Sequence, residues 1–177
     1  MDNLFNYHFK KEKSAKSLLE DNKNYKNHKH NQVIEGMIKN DPLFDLINQH
    51  KKRLDNVYFL PFMNKTLLFT YYRASDLMVM LTRGDVWGLV VNEAMANALP
   101  VISTDACVAG KELIKDGENG YIVPVDSPDI TEEKIKIIIE NSNLYDVMQK
   151  ECLNTIKNYT YESMAKKHIE IFNKIKQ

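Results

Sequence analysis

Residues 83–105 read RGDVWGLVVNEAMANALPVISTD, and the fold turns on how that stretch divides. A Gly-containing loop comes first, then an apolar run carrying one acid, Glu93, then a β-branched run led by Pro100. Residues 88–98 read as a helix, because Leu89, Val90 and the run from Glu93 to Ala96 are spaced for one, and Ala, Met and Glu favour it. Val90 and Val91 alone would fit a strand, so length and the Glu-Ala-Met-Ala run decide. A helix opening after a strand points free backbone N–H groups past the sheet edge, a ready site for phosphate. Glu93 lies five residues beyond Gly88, about 7.5 Å along the axis, and Asp85 sits in the loop. Two carboxylates flanking an anion site suit a ligand with an anionic middle and hydroxyl groups at both ends. A nucleotide sugar is such a ligand.

With 177 residues the chain is expected to form one α/β domain over 1–177, with a real core and a polar segment at 1–31. Net charge is zero and the pI is near 7.0, which leaves no electrostatic case for nucleic acid. Charge is uneven. Between residues 56 and 110 the basic side chains are Lys65, Arg73 and Arg83, and the acidic ones Asp76, Asp85, Glu93 and Asp105. A charge-poor middle with charged flanks fits a buried sheet. The spacing of Cys107 and Cys152 matches no zinc or redox motif, so two free thiols in a reducing cytoplasm is the plain reading. No apolar run approaches membrane-spanning length, the first ten residues carry no signal-peptide pattern, and no internal repeat is visible.

Along the chain, residues 13–23 suit a short helix and 22–31 a loop; His28 and His30, without further ligands, read as solvated rather than metal-binding. Residues 32–36 fit a short strand. Asp41 as N-cap and Pro42 at N1 open a helix running to about Arg53. Strand 57–60 stops at Pro61, and Asn64 begins a helix with Leu67, Leu68, Tyr71 and Tyr72 on it. Strand 77–81 and strand 101–103 are apolar throughout, the pattern of strands buried on both faces. A short helix at 110–116 closed by Gly117 and a strand at 121–123 follow. Asp129 and Glu132 form a capping-box pattern; Ile135, Ile138 and Ile139 form a stripe. Helices at 143–158 and from Tyr161 onward end the chain, the last carrying Met164, Ala165, His168, Ile169, Phe172 and Ile175 on one face. Alternating strands and helices imply a Rossmann-like parallel sheet with helices on both faces and a helical C-terminal tail. Ligands bind beyond the carboxyl ends of such strands, where the loops of Asp85 and Asp105 fall.

The stretch resembles the signature of retaining glycosyltransferases of the GT-B fold, the large family that includes sucrose and glycogen synthases. That motif is an acid, seven residues, then Glu, Ala-Met-Ala, a Gly and Pro-Val-Ile. It stands here as Asp85, Glu93, Ala94-Met95-Ala96 and Pro100-Val101-Ile102. Asp85 replaces the usual Glu and is one methylene shorter. Ala98 replaces a Gly, at some cost if its φ is positive, with Asn97 as the residue that tolerates the left-handed turn. The resemblance is strongest over residues 56–126, through Asn56-Val57-Tyr58-Phe59-Leu60, Tyr71-Tyr72-Arg73-Ala74-Ser75-Asp76, Glu112-Leu113-Ile114, Asp116-Gly117 and Asn119-Gly120. Upstream it thins: Lys13 matches a diphosphate-binding Lys, but His8 stands at the Arg position and Ser14 at the Gly.

The resemblance implies a donor-sugar site at Asp85, Val86, Trp87 and Gly88. It implies ribose and diphosphate contacts from Glu93, Leu89, Lys13 and, as a substitute cation, Arg83, with backbone N–H groups of Trp87, Gly88 and Leu89 facing the ligand. Asp105 lies near the site with no role assigned. It implies a UDP- or GDP-sugar as donor and no metal, and no Asp-x-Asp pair occurs near the site. It covers only the C-terminal, donor-binding half of a GT-B enzyme, so the acceptor domain would come from a partner chain and the last helix would expose an apolar patch. Three readings follow: half of a transferring enzyme, cytoplasmic or peripheral at the inner membrane face in polysaccharide biosynthesis; a nucleotide-sugar-binding subunit that cannot transfer alone; and a flavodoxin-like domain. The last leaves the helical tail and the paired acids unexplained.

Overall fold

The computed structural model describes residue 60 and residues 63–175. From Phe69 onward these belong to one compact unit, and residues 60 and 63–68 to a second, Lys13–Leu68. The helices and strand expected at 13–23, 32–36 and 41–53 lie outside the described residues, and so does the strand expected at 57–60 except for Leu60, which is not in a strand. Helix α1 (Lys65–Ala74) leads to β1 (Met78–Met80), α2 (Leu89–Ala96), β2 (Val101–Thr104), α3 (Val108–Leu113) and β3 (Gly120–Val123). Three helices end the chain: α4 (Pro128–Glu140), α5 (Ser142–Ile156) and α6 (Tyr161–Ile175).

The strands form a parallel sheet in the order β1-β2-β3, with Val79 opposite Ile102 and Ile102 opposite Tyr121. All four residues of β2 are buried, as its unbroken apolar pattern predicts for a strand covered on both faces. Successive side chains point to opposite faces. Ile102 joins Val123, Ile138 of α4 and Met148 of α5 in one core cluster. Ser103 faces α3, where Gly110 sits so close that an added Cβ would lie 2.8 Å from the Ser103 hydroxyl. The close approach of β3 to β2 is of the same kind: a Cβ on Gly120 would collide with the Val101 carbonyl oxygen.

Several boundaries differ from the sequence reading. β1 is shorter than 77–81; Leu81 lies beyond its end and is 54% exposed. α3 starts at Val108 because β2 ends at Thr104 and the chain turns within three residues; Gly110 is a contact residue inside the helix, not its start. Asp116 and Gly117 then belong to the turn into β3, where the Asp116 carboxylate accepts the Ile122 N–H at 2.8 Å. The capping box is absent. Ser127 precedes α4 with Pro128 in its first turn, and Glu132 reaches forward to Lys136 at 2.6 Å instead of back to the cap. Asn64 does cap α1, accepting the Leu67 N–H at 3.0 Å.

Buried Asn119 ties the C-terminal helices to the turn before β3. Its amide donates to the Leu113 carbonyl at 3.1 Å and to Thr155 of α5 at 3.0 Å, and its carbonyl accepts the Lys115 N–H at 2.8 Å. Buried Cys152 lies beside the carbonyls of Leu99 and Asn119; burial pushes its thiol up to about 12. The last helix is different. No side chain of α6 is buried, and Met164, Ile169, Phe172 and Ile175 are all exposed, so the expected uncovered apolar face is present.

Candidate functional site

The loop from Thr82 to Gly88 leaves the carboxyl end of β1 and enters α2. Gly88 is the N-cap of α2 in the left-handed region, φ 93° and ψ 60°. A side chain there is excluded twice over: the torsion disfavours L residues, and a Cβ would lie 2.6 Å from the Cys107 sulfur. Cys107 is fully buried beneath the loop. The Ala109 N–H, in the first turn of α3, donates to the Trp87 carbonyl at 2.7 Å, so the starts of α2 and α3 are stitched together. Among the described residues no acceptor faces the N–H groups of Gly88, Leu89 or Val90. These are the orphan donors that every helix start carries.

The Trp87 N–H, expected to face a ligand, donates within its own loop: the Asp85 carboxylate accepts it at 3.0 Å. A short acidic side chain two residues back closes that turn readily. The Trp87 indole N–H donates to Asn92 at 2.8 Å, which fixes the ring against α2. Val86 is 93% exposed at the loop tip and Leu89 is 67% exposed in the first turn of α2. Glu93 is half-buried in the second turn. Burial, the Glu93 charge and a hydrogen bond to the Glu93 carboxylate push the Tyr72 phenol above its ordinary value. Tyr72 was read from the sequence only as a residue of α1. Its place beside Glu93 is a contact between residues distant in sequence, which has no local signature.

Arg83 forks onto Asp126 at 2.7 Å, and that hydrogen bond with the Asp126 charge raises its already high pKa. Both partners are exposed. The expected substitute cation is therefore tied to the loop after β3. Asp105 holds that loop as well, accepting the Val125 N–H at 3.3 Å. Lys13 lies outside the described residues. Among the described residues no group of three or more His, Cys, Asp or Glu side chains is arranged to hold a metal ion, and no helix is long and apolar enough to cross a membrane.

At the far end of α2 the helix closes on Ala98, not Asn97. Ala98 has φ 58°; its N–H donates to the Met95 carbonyl at 3.0 Å and the Leu99 N–H to the Ala94 carbonyl at 3.1 Å. This is the paired bond pattern of a Schellman stop, and it places the left-handed residue one beyond Asn97.

A parallel sheet whose strand-loop-helix unit opens on a left-handed glycine is a Rossmann-like arrangement. The chain belongs to the glycosyl transferases group 1, whose family model matches residues 4–155. Among curated proteins it is 28% identical over 91 residues to the GtfA subunit of a UDP-N-acetylglucosamine--peptide N-acetylglucosaminyltransferase from Streptococcus pneumoniae, covering 51% of this chain and 18% of that protein. Among solved structures it resembles the C-terminal domain of a group 1 glycosyl transferase, LpcC, from Francisella tularensis, with TM-score 0.57 and 26% identity over 68% of this chain and 66% of that one. It also resembles a TarM variant from S. aureus in complex with UDP, with TM-score 0.62 and 25% identity over 73% of this chain and 27% of that one. The chain spans less than a fifth of the first curated relative's length.

Proposed function

We propose that this chain is the donor-binding domain of a retaining, metal-independent glycosyltransferase. It holds a UDP- or GDP-sugar for transfer to an acceptor carried by a second domain. The observation that carries the reading is the start of α2, where among the described residues no acceptor faces the N–H groups of Gly88, Leu89 and Val90, inside the family's paired-acid motif. The diphosphate sits against those amides, which stabilise charge developing on the leaving nucleoside diphosphate without reorganising. Glu93, held by Tyr72, accepts from the ribose hydroxyls. Arg83 adds positive charge at the phosphates if it leaves Asp126. The UDP in the TarM complex supports a nucleoside diphosphate here. The setting we propose is cytoplasmic, peripheral at the inner membrane face, in polysaccharide biosynthesis.

A second reading has its own support. The uncovered face of α6 favours a binding subunit that transfers only with a partner chain. Calorimetric titration with UDP, GDP, UDP-glucose, UDP-galactose and GDP-mannose tests the site. Saturable binding of one nucleotide is expected. Its loss by roughly 10-fold or more in Glu93→Ala follows from removing a charged hydrogen-bond partner. A folded chain that binds none of them sinks the donor-site reading. Hydrolysis or transfer by the chain alone separates the enzyme from the binding subunit.

A further inference from the structure

We infer that Asp126 gates the donor site: it competes with the diphosphate for Arg83, so that the guanidinium reaches the phosphates only by exchanging one anionic partner for another. This rests on the donor-site reading above and adds to it a residue that lowers affinity. Arg83 stands at the tip of a turn in the loop between β1 and α2. Thr82 closes that turn, its hydroxyl donating to the Gly84 carbonyl at 2.9 Å and accepting the Gly84 N–H at 3.1 Å. With the backbone held, what remains free to move is the Arg83 side chain. Its Nη2 donates to Asp126 Oδ1 at 2.7 Å, and its Nε lies 3.1 and 3.3 Å from the two oxygens of the same carboxylate.

The carboxylate is braced from its own side. Asp126 sits in the left-handed region at φ 57°. The N–H of Val125 before it donates to Asp105 at 3.3 Å, and the Ser127 hydroxyl after it donates to the Pro124 carbonyl. The pair therefore joins the loop after β1 to the loop after β3, across the loop after β2 that carries Asp105. These three loops leave the carboxyl ends of the sheet, where ligands bind in such folds. Arg83 is their one basic residue, set among Asp85, Asp105 and Asp126. An anion that enters this rim has no other cation in the three loops to meet.

The tie is built to yield. The two side chains are 79% and 64% exposed, and a pair standing in water favours its closed arrangement by no more than about 5-fold. A diphosphate carries more charge than one carboxylate, and its oxygens match the fork of a guanidinium. A ligand that needs Arg83 free binds more weakly in proportion to the time the residue spends on Asp126. The gate then costs the diphosphate about 2- to 6-fold in affinity.

Four forms of the full chain separate a gate from a plain repulsive charge: unsubstituted, Asp126→Asn, Arg83→Gln and the double variant. Asn tolerates the left-handed torsion at position 126; Asp126→Gly, which keeps the torsion and drops the side chain, carries the test if the Asn form melts early. Each is titrated calorimetrically at low salt with UDP and with uridine, or with GDP and guanosine if the guanine nucleotide is the one that binds. Asp126→Asn is expected to bind UDP about 2- to 6-fold more tightly and uridine unchanged. Arg83→Gln is expected to lose about 5-fold or more for UDP, the scale of a lost charged hydrogen bond. In the double variant the gain should vanish, leaving UDP affinity within about 2-fold of Arg83→Gln. An equal gain with and without Arg83 would show that Asp126 acts only by repulsion, and would overturn the inference. So would an unchanged UDP affinity in Asp126→Asn or in Arg83→Gln, either of which leaves the donor site standing without its gate. Absence of nucleotide binding in both the unsubstituted and the Asp126→Asn chain is a separate outcome that removes the donor-site reading and this inference with it.

Discussion

Substituting Gly88 by alanine perturbs one atom at the centre of the site, and its cost divides into two parts. The first is torsional. Gly88 sits at φ 93°, where a Cβ costs roughly 1–2 kcal/mol. The second is steric. The new Cβ would lie 2.6 Å from the Cys107 sulfur and 3.4 Å from the Met80 methyl. Cys107 is fully buried, so the sulfur has nowhere to retreat, and overpacking of this kind costs about 1–3 kcal/mol. Gly88→Ala is therefore expected to destabilise the unit by about 2–5 kcal/mol, measured by urea unfolding with linear extrapolation. Cys107→Ala removes the obstructing atom. In the double variant the steric share should disappear and the torsional share remain. The double variant is then less destabilised than the sum of the singles by about 1–3 kcal/mol, well outside the few tenths expected of independent sites. Additive singles would show that the sulfur does not oppose the methyl group. A Gly88→Ala loss below about 0.5 kcal/mol would refute the whole argument, because even an empty space leaves the torsional cost.

Three further measurements test the core. Asn119→Ala deletes the hydrogen bonds to Leu113, Thr155 and Lys115 and leaves buried partners unmatched, which should cost about 2–4 kcal/mol in the same unfolding assay; a loss under 1 kcal/mol would show that water replaces the side chain. The Cys152 thiol stands at about 12 when folded against its ordinary 9.0, so stability contributed by the neutral thiol is complete below pH 9. It is lost between pH 9 and 12 as the unfolded chain ionises first. Tyr145, also raised to about 12, acts in the same sense over pH 10–12. Melting temperatures should fall steadily above pH 9 and fall less in Cys152→Ala. Both cysteines are buried, so a thiol reagent at pH 8 should find neither until denaturant is added.

The helix at Glu93 and the tail helices are legible because each has a run of consistent spacing, and the strands either side of Glu93 because their short runs are apolar throughout. What the sequence did not carry is length-sensitive and non-local. The left-handed stop of α2 falls on Ala98 and not on Asn97, although Asn tolerates that torsion better, because the hydrogen-bond pattern after Ala96 fixes the position and the residue must conform. Gly110 looks like a helix boundary in the sequence; in the structure it admits Ser103 of β2, a demand set by a neighbouring strand. Asp85 looks outward as half of an acid pair, and a difference of one methylene lets it fold onto Trp87. The pairing of Arg83 with Asp126 spans 43 residues and has no local trace at either end.

The bare face of α6 has a consequence for how the unit opens. A lone helix of 15 residues is marginal in water, because its stability elsewhere comes from burying an apolar face, and here no side chain does so. Its amide hydrogens should exchange within the dead time of a deuterium pulse, while those of β2, closed in on both faces, persist to the limit set by global unfolding. Any molecule that covers Ile169 and Phe172 would then declare itself as slowed exchange along a single helix, with the sheet unchanged.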